Sequence, residues 1–336
     1  MPPIHESQCS HGISAISFAF RYRDANIPIA ADCATEGTLT ITATADAAAI
    51  SGCSTYDGSL AVNTELAVAK DQNGRQTLAI SGVKEVTGNI TVTQATNLAS
   101  LSFDSLQTVG GIELGDLTVL SELSAPQLTK VDTLNFTALP ALQSMSFGNK
   151  GVTEAISVLI TNTGLGSLQG INNLESIEIF NVNNNQALTN ISLDVKQIKR
   201  SLDIEANDGY VSGLAVSFPF LENALNMTFR NCSSVDLSAL AVVNQSLGFY
   251  GNSFENFTAP NLTQAGGLIF VDNTELTNIT LPKLQTINQL YQIANNTMLK
   301  KINGFEKLAT VSGALDFNGN FTEYVHLARR FRLTNL

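Results

Sequence analysis

Two pairs of carboxylates are the residues best placed to do chemistry in this sequence. Asp203 and Glu205 alternate along one strand-like segment, so their side chains share a face, and Asp272 and Glu275 lie together near a turn. Paired carboxylates can hydrolyse glycosidic bonds. The immediate neighbours on that face supply no basic partner or third carboxylate, so a solvated strand face is the favoured interpretation.

The chain lacks the residues that other kinds of catalysis or cofactor binding need. Ser–His–Asp and Cys–His mechanisms need a histidine base, and the repeated part of the chain has no histidine. The histidines are His5, His11 and His326, and His326 is interpreted as an end-of-repeat residue. No GxGxxG or GxxxxGK[ST] sequence occurs. We therefore predict no catalytic residues, no cofactor and no metal.

The cysteines are interpreted by their positions. Cys33 and Cys53 bracket a short segment, and we predict a disulfide that staples an N-terminal cap, although two unrelated thiols remain an alternative. No CxxC pair occurs and no histidine is near, which argues against zinc. Cys232 occupies the first apolar slot of a repeat, so we expect a buried thiol in place of leucine.

The composition narrows the class of protein. The chain has 336 residues, of which 44% are apolar and only 14% charged, with a net charge of −11. That apolar fraction can build a core, and the acidic balance argues against a nucleic-acid partner. No apolar run reaches the ~18 residues of a membrane span. Asn, Ser, Thr and Gly take the place of the missing charge.

An internal repeat organises most of the chain. The frame Leu-x-x-Leu-x-apolar recurs every 21 to 23 residues, as in Leu98-x-x-Leu101-x-Phe103 and Leu276-x-x-Ile279-x-Leu281. Short apolar-x-apolar segments about ten residues upstream follow the same period. Period two without a helical period predicts an all-β, right-handed β-solenoid with coils of about 22 residues. The first positions of the copies are residues 98, 120, 142, 165, 188, 211, 232, 254, 276, 299 and 321.

An asparagine recurs between the two strands of most later repeats. Asparagine tolerates left-handed backbone geometry, and its amide can bond to the neighbouring coil. We therefore predict a corner ladder rather than a polar ligand track. The predicted ladder residues are Asn185, Asn207, Asn231, Asn252, Asn273, Asn296 and Asn320.

Asn-x-Ser/Thr sequons are the modification motif of this chain. Eleven occur, and we expect no glycan at Asn231 and Asn320 because both lie on the predicted ladder. Asn190, Asn256 and Asn278 share one outward slot of the repeat. Glycans would supply the polarity that the low charge leaves out. The predicted N-glycosylation sites are Asn89, Asn135, Asn190, Asn226, Asn244, Asn256, Asn261, Asn278 and Asn295.

Several ordered stretches carry a family resemblance. They include Ile50-Ser-Gly-Cys53, Asn226-Met-Thr-Phe-Arg-Asn231, Ala259-Pro-Asn-Leu-Thr263 and Ser312-Gly-Ala-Leu-Asp-Phe317. With these the chain resembles the fungal GPI-anchored cell-wall organisation and sporulation proteins, built on a receptor L-domain-like, leucine-rich solenoid. The resemblance covers residues 33–322 and implies an extracellular N-glycoprotein of the plasma membrane or wall, without known catalytic residues.

The two ends depart from that resemblance. Residues 1–32 lack the basic start and small cleavage-site residues of a signal peptide, and we expect an atypical, disordered leader. Residues 323–336 are expected to be a degenerate or truncated end, without a Ser-rich stalk or anchor signal. Membrane attachment would then need a lipid anchor that these residues do not supply.

The predicted function is a non-enzymatic, extracellular wall glycoprotein. Its expected partners are wall polysaccharide or wall and surface proteins. One alternative is a carbohydrate-active parallel β-helix enzyme that degrades pectin or glucan. Another is a ligand-binding L-domain, which an exposed aromatic patch involving Phe249, Tyr250 and Tyr291 would favour, although core packing is the favoured interpretation of Phe249.

Overall fold

A computed structural model of the chain describes residues 33–63, 66–207 and 213–322, together with a strand at 332–333. The predicted leader at 1–32, with Cys9, His5 and His11, lies outside the described residues. So do His326 and the predicted degenerate end, apart from that last strand.

The described residues form one short helix and a long series of strands. The helix, α1, spans Thr44–Ala49. The first strands are β1 Ala34–Ile41, β2 Thr55–Val62, β3 Gln76–Ala79, β4 Glu85–Thr93, β5 Leu98–Ser102, β6 Thr108–Gly115, β7 Glu122–Ser124, β8 Lys130–Leu139, β9 Met145–Ser146, β10 Glu154–Thr163, β11 Ser176–Asn183, β12 Asn190–Ser192 and β13 Gln197–Glu205. The others are β14 Leu214–Ser217, β15 Asn223–Arg230, β16 Cys232–Asp236, β17 Val242–Tyr250, β18 Asn256–Thr258, β19 Gln264–Val271, β20 Asn278–Thr280, β21 Thr286–Ile287, β22 Tyr291–Ala294, β23 Thr310–Val311, β24 Leu315–Asn318 and β25 Arg332–Leu333.

The strands stack in parallel, one coil on the next, as the repeat predicts. A long sheet takes one strand or strand pair from every coil, in the order β1-β2-β4-β6-β8-β10-β11-β13-β15-β17-β19, and continues through β21 to β25. Three short sheets line a second side: β3-β5-β7-β9, β12-β14-β16 and β18-β20. The all-β solenoid predicted from the sequence is confirmed.

The core is built from inward columns of aligned apolar side chains. Ile90, Ile112 and Leu134 are register partners on β4, β6 and β8, and all three are fully buried. Every second strand residue points inward, so the period of two in the sequence becomes a continuous apolar interior. Phenylalanines fill this interior in the later coils, where the Phe249 ring stacks between Phe229 at 5.4 Å and Phe270 at 4.8 Å.

A left-handed residue turns the corner between the long sheet and the second side. In coil after coil a residue at the end of the strand or directly after it has φ near +57°, and the next residue is buried. Asparagine and glycine adopt this conformation at low cost. The corner residues with positive φ include Gln94, Asp116, Ala138, Asn162, Asn184, Ala206, Asn231, Gly251, Asp272 and Asn295.

The buried residue after that corner forms the asparagine ladder. Asn252 donates its backbone N–H (3.0 Å) and its side-chain Nδ2 (2.8 Å) to Oδ1 of Asn273 in the next coil. Asn273 repeats both bonds to Oδ1 of Asn296, at 3.0 Å each. Each Nδ2 also reaches a strand carbonyl, as Asn273 does at Phe249. The amides thus satisfy buried polar groups that no strand partner reaches.

A second run of the ladder lies earlier in the chain. Asn185 donates its backbone N–H to Oδ1 of Asn207 at 3.0 Å and accepts from the backbone N–H of Thr163, also at 3.0 Å. In the first coils the same position is occupied by apolar residues, Ala95 and Leu117. The polar ladder therefore begins at Thr163.

One predicted ladder residue was assigned wrongly. Asn231 is exposed and is the left-handed corner residue itself, with φ 58°, while Cys232 fills the ladder position and donates its N–H to Asn252 Oδ1 at 2.9 Å. Asn320 aligns with the ladder residue Asn296 through the pairing of β22 with β24, and it is exposed in the last described coil. Asparagine suits both the corner and the ladder, so residue type alone could not separate adjacent positions. Cys232 is a buried thiol, as predicted, and burial raises its pKa to about 12.

One copy of the repeat frame is shifted from its predicted place. Val216 pairs with Ile191 on one side and with Val235 on the other, so it occupies the second slot rather than the third. The coil between Asn207 and Cys232 is longer than its neighbours, so the frame predicted from the sequence starts two residues too early. Val211, the predicted first slot, lies outside the described residues.

A covalent cap closes the first coil. Cys33 and Cys53, the pair predicted from the sequence, form a disulfide across a Cα–Cα distance of 5.5 Å. Asp46 on α1 accepts hydrogen bonds from the backbone N–H groups of Thr42 and Ala43 and from the Thr42 hydroxyl, which lower its pKa. No helix in the described ranges is long and apolar enough to cross a bilayer.

The ladder predicts a large and position-specific loss of stability. Replacing Asn273 by Ala removes its bonds to two neighbouring coils and leaves buried groups unpaired, which should lower the free energy of unfolding by about 3 kcal/mol. Urea unfolding followed by circular dichroism measures this. Replacing the exposed Asn288 by Ala is the control, and it should change the free energy of unfolding by less than about 0.5 kcal/mol. Equal effects at the two positions would contradict the ladder.

Candidate functional site

The Asp203–Glu205 pair lies on the outer face of the long sheet, in the middle of the solenoid. Ile204, between them, is buried, so both carboxylates point to solvent as predicted. The prediction that the pair lacks a basic partner is wrong, because Arg230 on the adjacent strand β15 places its Nε 3.5 Å from Glu205 Oε2. That partner is 25 residues away in sequence, and strand pairing alone brings it to the face.

An aromatic ring holds Arg230 on its other side. The guanidinium carbon lies 4.3 Å from the centroid of the Tyr250 ring. Tyr250 leans over Gly248, where a Cβ would come within 2.6 Å of the ring. Glycine at this position therefore makes room for the ring, and the arginine is held between a carboxylate and an aromatic face.

Asp203 differs electrostatically from its neighbour. Partial burial raises its pKa and the charge of Glu205 raises it further, while Arg230 lowers it. Glycoside hydrolases use a carboxyl group of raised pKa together with a second carboxylate. The pair nevertheless lies on an open sheet surface. Recesses of about 460 and 350 Å³ lie elsewhere on the described part of the solenoid, and Asp203 and Glu205 line neither of them.

The other candidates from the sequence do not form a site. Asp272 and Glu275 are both exposed, and Asp272 is a left-handed corner residue with φ 58°. No group of three His, Cys, Asp or Glu side chains within the described ranges could hold a metal ion. These two carboxylates belong to the turn.

The alternative of an exposed aromatic patch is wrong for two of its three residues. Phe249 and Tyr291 are fully buried, and only Tyr250 reaches the surface. The Tyr291 ring meets Phe317 edge-on at 5.0 Å, and its hydroxyl has no hydrogen-bond partner. Burial raises the pKa of Tyr291 well above its usual value. Both aromatic residues stand in inward columns, which their position in the repeat already indicates.

The asparagines of the nine predicted glycosylation sites all reach the surface. Asn135, Asn226 and Asn278 are half-buried, and the other six are exposed. Some side chains make local contacts, as Asn261 does with Lys283 Nζ at 2.7 Å and the Ser238 carbonyl at 2.8 Å. The exposed positions are Asn89, Asn190, Asn244, Asn256, Asn261 and Asn295.

A recess lies beside one of these asparagines and was not predicted from the sequence. Asn190 lies at the edge of the short sheet β12-β14-β16, and residues 164–173 of the preceding coil form no strand there. The resulting hollow of about 350 Å³ is lined by Gln169, Asn172 and Asn190 among others. The weak copy of the frame at Leu165 was its only sign in the sequence.

Known proteins share this chain's sequence over most of its length. Protein ecm33 of Aspergillus fumigatus is 38% identical over 297 residues, which cover 88% of this chain and 71% of that protein. The chain belongs to the Ecm33 family of fungal GPI-anchored cell-wall proteins. A cell surface GPI-anchored protein of Arthroderma benhamiae is 39% identical over 88% of this chain and 73% of its own length. Sporulation-specific protein 2 of Saccharomyces cerevisiae is 30% identical, over 71% of this chain and 47% of that protein.

Membership of the Ecm33 family confirms the predicted fungal, cell-surface and cell-wall localisation. No family model matches the chain. Among solved structures, a leucine-rich repeat protein from Eubacterium ventriosum covers 87% of this chain and 90% of its own at 16% identity, with a TM-score of 0.22. The fold assignment therefore rests on the strand pairing described above.

The raised pKa of Asp203 makes stability depend on pH in a defined direction. The folded state binds a proton at Asp203 more tightly than the unfolded state does, so the ionised carboxylate destabilises the fold at neutral pH. Asp203→Asn should raise the urea midpoint at pH 7, and this advantage should disappear as the pH falls below about 4. The exposed Asp132→Asn on the same sheet controls for loss of one charge. A midpoint lowered at pH 7 by Asp203→Asn would contradict this account.

Proposed function

We infer that this Ecm33-family chain acts in the fungal wall without catalysis, as an N-glycosylated structural solenoid. The observation that supports this most directly is the state of the Asp203–Glu205 pair. Glu205 is bound to Arg230, Arg230 is stacked on Tyr250, and both carboxylates stand on the outward face of a strand. A hydrolase needs both carboxyl groups free to reach a substrate shielded from water.

The surface suits contact with wall polymers. One outward column of the long sheet carries four amide and hydroxyl side chains together with two carboxylates and a leucine. In register order it runs Thr91, Glu113, Asn135, Leu159, Asn181, Asp203 and Thr228. The amide and hydroxyl groups can exchange hydrogen bonds with sugar hydroxyls. The partners proposed are wall polysaccharide or other wall and surface proteins, with no nucleic acid.

Glycans complete this role. With 14% charged residues, the chain has little charge to keep it dispersed, and N-linked sugars at the exposed sequons would supply bulk and hydration. The asparagines proposed to carry them are the nine predicted from the sequence. Their positions are spread over both strand sides and the corners.

A carbohydrate-active enzyme is the second candidate. It is favoured by one observation, the raised pKa of Asp203 beside Glu205. In that case Asp203 would donate the proton to the leaving oxygen, and Glu205 would have to release Arg230 before it could act.

Two measurements on the secreted protein test the proposal. Digestion with an N-glycosidase should increase its gel mobility by the equivalent of several glycans. Incubation with glucan, chitin and pectin should release no reducing sugar above the level of the Asp203→Asn/Glu205→Gln double variant. Sugar release that the double variant loses would establish the enzyme instead, and unchanged mobility would remove the glycoprotein role.

A further inference from the structure

Two sequons lie side by side on the second side of the solenoid. Strands β18 and β20 pair in parallel, with Asn256 aligned to Asn278 and Thr258 aligned to Thr280. Neighbouring strands are about 4.8 Å apart. The two acceptor asparagines therefore leave the surface at adjacent points, separated by one coil spacing.

Buried side chains fix both strands in this orientation. Phe257 and Ile279, the middle residues of the two sequons, are 1% and 2% exposed. The Phe257 ring lies 4.3 Å from the centroid of Phe249 and 5.5 Å from that of Phe270. Because strand side chains alternate, the inward middle residues hold both asparagines outward. Neither strand can rotate to separate them without opening the aromatic core.

We propose that Asn256 and Asn278 form a single glycan position, occupied once in each folded molecule. This rests on the N-glycosylation proposed above. The first sugar of an N-glycan is a pyranose with an acetamido group, and it is wider than one coil spacing. Two such sugars on aligned neighbours compete for the same volume, so a chain modified at both cannot close these two coils.

The modification itself is a glycosyl transfer. The Nδ2 atom of the asparagine attacks C1 of a lipid-linked oligosaccharide diphosphate and forms an N–C1 bond. The C1–O bond to the diphosphate breaks, the lipid diphosphate leaves, and the amide proton passes to a base of the transferase. Either asparagine can accept the sugar in the unfolded chain, but a chain that carries a glycan at both cannot complete folding.

Asn190 provides an internal contrast. It stands in the same slot of its repeat, but its register partner is Ala215. On its other side lies the recess of about 350 Å³ where the preceding coil has no strand. Its glycan meets no aligned neighbour, so its occupancy is independent of the pair.

Peptide mapping of the secreted full chain tests the proposal directly. Residues 231–283 contain no internal Lys or Arg, so trypsin leaves both asparagines on one peptide. Enzymatic deglycosylation in ¹⁸O-water marks every asparagine that carried a glycan, and tandem mass spectrometry locates the marks. We expect peptides marked at Asn256 or at Asn278, with peptides marked at both absent or present only as a trace.

Variants sharpen the outcome. Asn256→Gln should shift occupancy to Asn278 without changing the number of glycans, and Asn256→Gln/Asn278→Gln should lose one glycan. Asn190→Gln, the matched control, should lose its own glycan and leave the pair unchanged. A major peptide marked at both positions, or the loss of two glycans in the double variant, would overturn the proposal. A peptide of the unsubstituted protein that is unmarked at both positions would also overturn the proposal. Glycans found elsewhere on that protein would nevertheless support the glycoprotein role.

Discussion

Where each later coil leaves the long sheet, a left-handed residue turns the backbone and directs the next N–H into the interior, away from water. An unpaired N–H there would cost about 1–3 kcal/mol. The side chain of the equivalent residue one coil further on accepts that bond. Asn273, for example, satisfies the N–H of Asn252 and depends in turn on Asn296. Within the two runs Thr163–Asn185–Asn207 and Cys232–Asn252–Asn273–Asn296, the corner therefore ties each coil to the next in one register.

The register between stacked coils determines which residues become neighbours on the surface. Because coils stack without slipping, the apolar columns face inward together, and outward residues from distant parts of the sequence become neighbours. Arg230 reaches Glu205 in this way, and Tyr250 reaches Arg230 from the following strand. The same alignment places Asn256 beside Asn278. The surface of this Ecm33-family protein is thus a consequence of the register in which its coils stack.

The period of 21 to 23 residues and its apolar slots were enough to predict the parallel coils and the buried thiol of Cys232. The cap disulfide was predicted separately, from the positions of Cys33 and Cys53. The errors arose where two positions accept the same residue, as with Asn231 at the corner and Cys232 in the ladder. The frame slipped at residues 208–212, where a coil is longer. The contact of Arg230 with Glu205 was not predicted because it joins residues of two different coils, which are far apart in the sequence. The hollow beside Asn190 was not predicted because the missing strand shows in the sequence only as a weak copy of the repeat.

Amide hydrogen exchange of the corner residues tests the central claim most directly. The backbone N–H groups of Asn185, Asn252 and Asn273 bond to side-chain oxygens rather than to a paired strand. If the ladder holds the coils in register, these amides exchange only when the solenoid opens, as slowly as the amides of β17 and β19. Exchange at the rate of exposed turn amides would contradict the account, because the corners would then open independently of the sheet.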